Sequence, residues 1–397
     1  MELTRPRVLA LVLAGGEGGR LDVLTDERAK PVLPFAGVYR LIDFTLSNCR
    51  HSGIGDVWVL QQYEPGALTE HLANGRPWDL DRTYGGFRVL HPHRGRDESG
   101  WYRGNADALW RNVGDVRRFD PEVVLVLSAD HVYTFDYREA IARHLESEAG
   151  VTLVTTRVPQ EQAGRFGVVR IGAGGRVQEY AYKPDEPSSD IVATEVFVFD
   201  APTLLDALEE FAEAADEEEG LSDLGDGLLP RLASDGRAVE YRLEGYWRDV
   251  GTVESYLAAH LELVAGEAEA DLRRREWPIL TWAPQRPPAR VAPSARVEDG
   301  LLSPGVRVEG EVVGSVLAPG VVVEAGAAVR EAVVLHDVVI RAGATVERTI
   351  VDEGAEIGPR ATVGAPSGEV TLVGRHARVA ADATVAAGEH LDPGSGA

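Results

Sequence analysis

Short apolar, β-branched runs alternate with helical patterns over the first 265 residues of the chain. Each apolar run is followed by a polar or glycine-containing turn, which is typical of strands. The order of strand, helix and strand predicts an α/β fold with a Rossmann-like, mostly parallel sheet covered on both faces. The predicted strands are Val8–Leu13, Asp56–Leu60, Val123–Leu127, Val151–Thr156, Val168–Ile171 and Ala193–Phe199. The predicted helices are Tyr39–Ser52, Asn105–Val116, Arg138–Ser147 and Thr203–Ala214.

The pattern changes after a proline-rich linker. Trp277–Pro293 contains five prolines, which exclude a regular helix or a central strand. Beyond the linker, apolar residues and glycines recur every six positions, as at Leu317, Val323 and Val329 and at Gly314, Gly320 and Gly326. This period favours a left-handed parallel β-helix with apolar residues inside and glycines at tight corners; an ordinary β-sandwich is the alternative. The predicted units are an α/β domain at 1–265, a linker at 266–290 and a β-helix at 291–393, with residues 392–397 disordered.

Charge and cysteine content exclude several classes of function. The formal net charge of −24 argues against binding to nucleic acid or to an anionic membrane, both of which need a basic surface. No apolar stretch approaches the roughly 20 residues that span a bilayer, and the first residues lack the cleavage pattern of a signal peptide. The single cysteine, Cys49, excludes an internal disulfide and fits a cytoplasmic protein, with Cys49 as a buried small hydrophobe.

A glycine-rich turn follows the first predicted strand in the segment LALVLAGGEGGRL. Its glycines allow backbone N–H groups to approach phosphates closely, and Arg20 and Lys30 add cations just beyond the turn. The turn is not a Walker loop, because no Gly-Lys-Ser/Thr follows it. It is not the usual dinucleotide fingerprint either, because its glycines have a different spacing. The alternative for either cation is an ordinary surface residue. The segment predicts a polyphosphate site in which Lys30 faces the departing pyrophosphate of a nucleoside triphosphate.

Motifs along nearly the whole chain resemble those of the bacterial glucose-1-phosphate adenylyltransferases, also called ADP-glucose pyrophosphorylases. The matching stretches are LVLAGGEGGRL (11–21), RAKPVLPFAGVYRLIDFTLSNC (28–49), WYRGNADALWRN (101–112), LVLSADHVYTFDYREAI (125–141), RFGVV (165–169), YKP (182–184), GYWRDVGTVESYLAAHLELV (245–264) and WPILT (277–281). The resemblance implies a nucleotidyltransferase that uses a nucleoside triphosphate and a sugar 1-phosphate, in a homotetramer.

The resemblance also implies roles for individual residues. Asp130 follows a predicted strand, where the carboxyl end of a parallel sheet usually meets its ligand, and Asp249 matches the second metal aspartate of the family. Two carboxylates suit Mg²⁺, and Arg20, Lys30 and Asp130 are the expected catalytic residues. The expected nucleotide-binding residues are Leu13, Ala14, Gly15, Gly16, Gly18, Gln62, Gly104, Asn105 and Ala106. The expected sugar-phosphate-binding residues are Tyr102, Gly167, Tyr182, Lys183, Thr194, Glu195 and Asp223.

Several departures from the family pattern concern the sugar. Tyr182 stands where the family has glutamate, and Ala193-Thr194-Glu195-Val196 stands where it has Ala-Ser-Met-Gly. Those glutamate and serine positions bind glucose hydroxyls in the family, and a site built for particular hydroxyls discriminates strongly. A milder change replaces Asp-Phe-Gly by Asp223-Leu224-Gly225. Glucose recognition is therefore either rewired, with Glu195 as a candidate, or replaced by recognition of another phosphorylated polyol.

Four functional hypotheses follow. The leading one is formation of ADP-glucose and diphosphate from ATP and glucose 1-phosphate, for glycogen or another α-glucan. The second is the same chemistry on another sugar or cyclitol 1-phosphate in specialised metabolism, with GTP as a candidate donor. The third is a non-catalytic regulatory subunit, which retention of Asp130, Asp249, Arg20, Lys30 and Lys183 disfavours. The fourth is an acyltransferase that uses the β-helix, which lacks an obvious catalytic histidine, since His336 and His376 stand alone.

Overall fold

A computed structural model describes residues 6–16, 18–92, 100–215, 221, 223–267, 274–283 and 285–397. Within these ranges an α/β domain is followed by a β-helix, so the predicted fold class is confirmed. Residues 268–273 and 284 of the predicted linker lie outside the described residues. None of the helices in the described ranges has the length and apolar character needed to cross a membrane.

The α/β domain is built on a nine-stranded sheet whose seven-strand path runs β10-β9-β11-β6-β1-β4-β5, with β8 pairing to β11 and β12. Every strand predicted for this domain is present. The strands are β1 (Val8–Ala14), β2 (Pro34–Phe35), β3 (Tyr39–Arg40), β4 (Asp56–Gln61), β5 (Gly86–Leu90), β6 (Val123–Ser128), β7 (His131–Tyr133), β8 (Val151–Arg157), β9 (Gly167–Ile171), β10 (Val177–Tyr182), β11 (Ile191–Asp200), β12 (Ala238–Arg242) and β13 (Trp247–Asp249).

One half of this sheet is parallel and the other half is mixed. β6, β1, β4 and β5 run parallel, whereas β11 pairs antiparallel with β6, β8 and β9. Side chains alternate across β1, so Leu9 and Leu11 pack into one core and Ala10 and Val12 into the other. The sheet is therefore covered on both faces, as predicted.

The helices cover the two faces of the sheet. The predicted helix Asn105–Val116 is divided at Asn112, whose amide donates a hydrogen bond of 2.8 Å to the carbonyl oxygen of Ala108. A side chain that binds nearby backbone in this way competes with continuous helix. The helices are α1 (Leu41–His51), α2 (Pro65–Leu72), α3 (Asn105–Arg111), α4 (Val113–Phe119), α5 (Tyr137–Ser147), α6 (Gln160–Ala163), α7 (Ala201–Ala214), α8 (Leu228–Ser234) and α9 (Val253–Val264).

The β-helix consists of three six-stranded parallel sheets. The length of a coil varies around three hexapeptides, since Val322 pairs with Val339, 17 positions later, and Glu356 pairs with Arg378, 22 positions later. Gly314, Gly320 and Gly326 all have positive φ angles, as expected for corners. The strands are β14 (Arg290–Val291), β15 (Arg296–Glu298), β16 (Leu301–Leu302), β17 (Arg307–Val308), β18 (Glu311–Val313), β19 (Val316–Leu317), β20 (Val322–Val323), β21 (Ala328–Arg330), β22 (Val333–Val334), β23 (Val339–Ile340), β24 (Thr345–Glu347), β25 (Thr349–Val351), β26 (Glu356–Ile357), β27 (Thr362–Gly364), β28 (Thr371–Val373), β29 (Arg378–Val379), β30 (Thr384–Val385) and β31 (His390–Leu391).

The residues after β31 are ordered, so the prediction of disorder at 392–397 is wrong. Gly396 forms a parallel β-bridge with Arg378, and the backbone N–H of Ala380 donates to the carbonyl oxygen of Ala397 at 2.6 Å. These residues continue the hydrogen-bonded ladder of the β-helix. Their backbone groups find hydrogen-bond partners in the preceding coil, which favours an ordered conformation.

The β-helix packs closely against the α/β domain. Phe44 of α1 and Tyr256 of α9 share an apolar cluster with Leu335 and Ile350 of the coils. Polar contacts also connect the β-helix to the segment that follows the glycine turn. Arg28 forms a buried ion pair with Asp352, and Nδ1 of His390 lies 3.0 Å from a carboxylate oxygen of Asp22.

Candidate active site

A polar cavity of about 350 Å³ lies at the carboxyl ends of the parallel strands of the α/β domain. Gly15, Gln62 and Asp130 lie just beyond the ends of β1, β4 and β6. Ligands bind at this edge in open α/β sheets. The predicted residues that line the cavity are Leu13, Gly15, Gly16, Arg20, Lys30, Gln62, Tyr102, Gly104, Asn105, Asp130, Tyr182, Lys183, Glu195 and Asp223.

Other predicted residues lie behind the cavity wall. Ala14 and Ala106 are buried in the two cores of the sheet. At Gly167, a Cβ atom would lie 2.2 Å from the hydroxyl of Tyr180, which explains the need for glycine. Gly18 adopts a φ of 75°, and a Cβ there would lie 2.9 Å from Thr25. These four positions shape the site through the backbone.

Thr194 does not face the cavity, contrary to the expectation that it contacts the sugar phosphate. Its side chain is fully buried, and its hydroxyl donates a hydrogen bond of 2.9 Å to the carbonyl oxygen of Val154. Thr194 lies where the register of β11 against β8 shifts between Ala193 and Phe197, and the next residue, Glu195, has a left-handed backbone. Glu195 is presented to the cavity in its place.

A cluster of opposite charges forms the floor of the cavity. Nζ of Lys30 lies 2.7 Å from Oδ2 of Asp130 and 3.5 Å from Oδ1 of Asp249. Burial tends to lower the pKa of Lys30, but the facing carboxylates offset this and raise it. Burial likewise favours neutral Asp130, yet Lys30 and His131 hold the pKa of this carboxyl well below its usual range. Lysine and aspartate are therefore both charged at neutral pH.

Asp249 is connected to the cavity by its contact with Lys30, and it forms a second ion pair with an arginine. Nη2 of Arg165 lies 2.8 Å from Oδ2 of Asp249. A Cβ atom at Gly251 would lie 2.9 Å from Asp249 and 3.2 Å from Nη2 of Arg20, so glycine leaves room for both. The sequence motifs include Arg165, but its pairing with a residue 84 positions away has no local signal.

Glu195 adds a third carboxylate to the cluster. It has a left-handed backbone with φ of 57°, and one ligand atom each of Glu195, Asp130 and His131 lie within 4.8 Å of one another. The side chain lines the cavity and is exposed there. Burial, followed by the negative charges of Asp130 and Asp249, raises the pKa of Glu195.

The opposite wall joins the residues expected to bind the sugar phosphate. The hydroxyl of Tyr182 donates to Oδ2 of Asp223 at 2.8 Å and accepts from Nζ of Lys183 at 2.7 Å. Burial and the charge of Asp223 raise the pKa of Tyr182, which keeps this hydroxyl a donor at neutral pH. The backbone N–H of Asn105 donates to Oδ1 of Asp223 at 3.2 Å. The substrate loop and the sugar side of the cavity are thus connected by hydrogen bonds.

Gln62 connects the glycine-turn side to the same loop. Its amide donates a hydrogen bond of 3.0 Å to the carbonyl oxygen of Tyr102 and accepts one from the backbone N–H of that residue. The ring of Tyr63 stacks on Trp101, with centroids 5.6 Å apart and planes 28° apart. The loop that carries Gly104 and Asn105 is therefore hydrogen-bonded to Gln62 on one side of the cavity and to Asp223 on the other.

These features define a class of enzyme. One end of the cavity offers backbone and cations for a polyphosphate, and the other offers Lys183 and hydrogen-bonding groups for a second phosphorylated substrate. The charged cluster between them can stabilise charge on a phosphorus undergoing substitution, without a nucleophilic side chain. This is the arrangement of a nucleotidyltransferase.

Comparison with known proteins identifies the family. Residues 9–266 match the profile described as nucleotidyl transferase, and residues 287–370 match a profile described as GlmU-like, C-terminal hexapeptide. The chain belongs to the nucleotidyl transferase family and, within it, groups with sugar-1-phosphate nucleotidyltransferases. The resemblance predicted from the motifs is therefore confirmed.

Similar proteins come from several bacteria. The glucose-1-phosphate adenylyltransferase of Thermotoga neapolitana is 43% identical over 325 residues, which cover 81% of this chain and 76% of the relative. The protein of the same name from Bacillus cereus is 40% identical, with 83% and 88% covered. That from Clostridium novyi is 38% identical, with 82% and 85% covered.

Proposed function

We propose that this enzyme transfers an adenylyl group from ATP to glucose 1-phosphate, giving ADP-glucose and diphosphate for the synthesis of glycogen or another α-glucan. The observation that supports this most is that Lys30, Asp130 and Lys183 line one cavity, and that Lys30 also contacts Asp249. The similarity to glucose-1-phosphate adenylyltransferases over about four-fifths of the chain supports the choice of substrates.

The reaction needs no covalent enzyme intermediate. A phosphate oxygen of the sugar phosphate attacks the α-phosphorus of ATP, and the bond from that phosphorus to the bridging oxygen breaks as diphosphate leaves. We assign Lys30 and Arg20 to the departing phosphates, because both side chains line the cavity beside the glycine turn. Lys183 holds the phosphate of the sugar. Catalysis then consists of positioning and electrostatic stabilisation.

Enzymes of this family generally use a divalent metal ion, and we propose Mg²⁺. The donors fit this ion, since Asp130 and Asp249 present carboxylate oxygens to one buried cation, the ammonium of Lys30. Hard cations such as Mg²⁺ prefer oxygen ligands of this kind. When bound, the metal would neutralise charge on the phosphates. Arg165 and Lys30 position the two carboxylates from the protein side.

A second candidate substrate is another sugar or cyclitol 1-phosphate, with GTP as the alternative donor. The contact between Tyr182 and Asp223 favours this candidate, because it engages a carboxylate on the sugar side of the cavity. A hydroxyl pattern that leaves Asp223 or Tyr182 without a partner would be rejected, since unpaired polar groups are costly.

The same contacts bear on the two other candidate functions and on the roles of the two domains. The convergence of Lys30, Asp130 and Asp249 disfavours a non-catalytic subunit. An acyltransferase role for the β-helix is disfavoured because His336 is buried at the domain interface, where burial and nearby arginines lower its pKa to about 3. We propose that residues 291–393 serve packing and assembly, that the enzyme is a cytoplasmic homotetramer, and that residues 1–265 catalyse the reaction.

The deciding experiment measures pyrophosphate release for four nucleoside triphosphates against a panel of sugar and cyclitol 1-phosphates with Mg²⁺. We expect the highest kcat/KM for ATP with glucose 1-phosphate. A clear preference for another pair selects the second candidate. If no pair turns over, the proposal of an active enzyme is refuted.

A further inference from the structure

Glu195 is placed in the cavity by an unusual backbone. It lies where β11 shifts register against β8, and its φ of 57° is uncommon for a residue with a side chain. Strained residues of this kind are found at functional sites. Asp130 pairs with Lys30, and Asp249 pairs with Lys30 and Arg165, whereas Glu195 has no ion-pair partner in the described part of the chain. Among the described residues, Glu195 is thus the carboxyl of this cluster that forms no ion pair with a lysine or arginine.

His131 points a nitrogen at the same place. The residue is only 4% exposed, and its Nδ1 lies 3.2 Å from the carbonyl oxygen of Thr194. Because a carbonyl only accepts hydrogen bonds, Nδ1 carries a proton, so in the neutral imidazole the lone pair is on Nε2. Nε2 lies 3.7 Å from Oδ1 of Asp130, which is too far for a hydrogen bond. A histidine held by its other nitrogen in this way is oriented as metal-binding histidines are.

We propose that Glu195, His131 and Oδ1 of Asp130 bind a divalent transition-metal ion, with Mn²⁺ as the probe, in the enzyme without substrates. Their ligand atoms lie within 4.8 Å of one another. Opposite ligands with bonds of about 2.2 Å lie about 4.4 Å apart, so small side-chain movements complete the set. One imidazole nitrogen with two carboxylates favours first-row transition metals over Mg²⁺ and Ca²⁺.

This site differs from the Asp130 and Asp249 pair assigned under the proposed function. The two oxygens of Asp130 face different neighbours: Oδ2 contacts Lys30, while Oδ1 accepts from the hydroxyl of Ser128 and lies beside His131. The inference rests on the proposed function only through the shared Asp130. Metal binding to the free enzyme can therefore be tested without any turnover.

The experiment titrates Mn²⁺ into the metal-depleted, full-length enzyme without substrates and follows free Mn²⁺ by electron paramagnetic resonance. We expect one site whose Kd rises at least about tenfold in Glu195→Gln, because one of three ligands loses its charge. Pulsed measurements on the bound ion should show coupling to an imidazole ¹⁴N. Glu195→Met serves as a second variant, and circular dichroism checks that each variant is folded.

The matched control is Asp249→Asn, which alters the neighbouring carboxylate outside the proposed ligand set. We expect its Kd to change less than about threefold. If Asp249→Asn weakens Mn²⁺ binding while both folded Glu195 variants bind as tightly as the original protein, the inference is overturned. Absence of the ¹⁴N coupling overturns it as well. Either result leaves the pyrophosphate-release screen, and hence the proposed function, unaffected.

Discussion

Replacing Asp352 by asparagine should destabilise the enzyme and impair catalysis together. Asp352 is fully buried in the β-helix, and its partner Arg28, with a side chain 7% exposed, lies two residues before the catalytic Lys30. Asparagine keeps the size of the side chain but removes its charge. The guanidinium of Arg28 would then lie buried without its main counter-charge, because Glu353 is 4.0 Å away and partly exposed.

The expected cost follows from this burial. Removing one partner of a buried ion pair costs about 3–5 kcal/mol, and the remaining Glu353 places this case near about 3 kcal/mol. For a domain of 150–250 residues, each kcal/mol lowers Tm by about 2–4 °C, which gives a loss of about 6–12 °C. We also expect kcat to fall about tenfold or more, because small displacements of a catalytic group are costly.

Differential scanning calorimetry and pyrophosphate release are the two assays. The matched control is Asp382→Asn, which breaks an Arg–Asp pair of the same β-helix whose side chains are 64% and 61% exposed. Exposed pairs contribute about 0–1 kcal/mol, so Tm should change little. A double variant, Arg28→Met with Asp352→Leu, should recover most of the lost Tm, since it leaves no buried charge. The reasoning is refuted if Asp352→Asn and Asp382→Asn lower Tm equally.

Three further outcomes are expected. Asp130→Asn should abolish pyrophosphate release while circular dichroism shows an unchanged fold; full activity would contradict the metal assignment. Lys183→Met should raise KM for the sugar phosphate about 10- to 100-fold, because a charged hydrogen bond contributes about 1.5–3 kcal/mol. The KM for ATP should change little. Equal changes in both KM values would oppose the assignment. The pKa of buried His260 is lowered from 6.5 to about 4, so the unfolded chain binds more protons between these values and stability falls as pH drops. From pH 7.5 to pH 5 this titration lowers the free energy of unfolding by about 2 kcal/mol. The Tm of His260→Gln should therefore fall less over this range than the Tm of the original protein. Equal losses of Tm in the two proteins would refute the argument.

Features that depend on local periodicity were predictable from the sequence. The apolar run before Gly15 defines β1, and the spacing of Leu317, Val323 and Val329 defines the β-helix. Asp130 could be placed at the cavity because it follows a buried strand, and strand ends meet at one edge of a sheet. For these residues the position predicted from the local pattern agrees with the position in the structure, because no distant contact changes it.

Other features depend on information that a local pattern does not contain. The apolar run of β11 reads the same whether the strand is parallel or antiparallel. Thr194 is buried and Glu195 lines the cavity where the register of this strand shifts, and the regular alternation of the flanking residues does not reveal that irregularity. The pairing of Arg28 with Asp352 joins residues 324 positions apart. Such contacts depend on how the two domains pack, so motif spacing cannot predict them.

The contact between Asp22 and His390 places a limit on the timing of folding during synthesis. Asp22 belongs to the segment directly after the glycine turn, and its partner lies 368 residues later, in β31. At translation rates of about 5–20 residues per second, the ribosome needs about 20–70 s to make the residues between them. The phosphate-binding segment is therefore among the first parts of the chain to be synthesised and among the last to gain all its contacts.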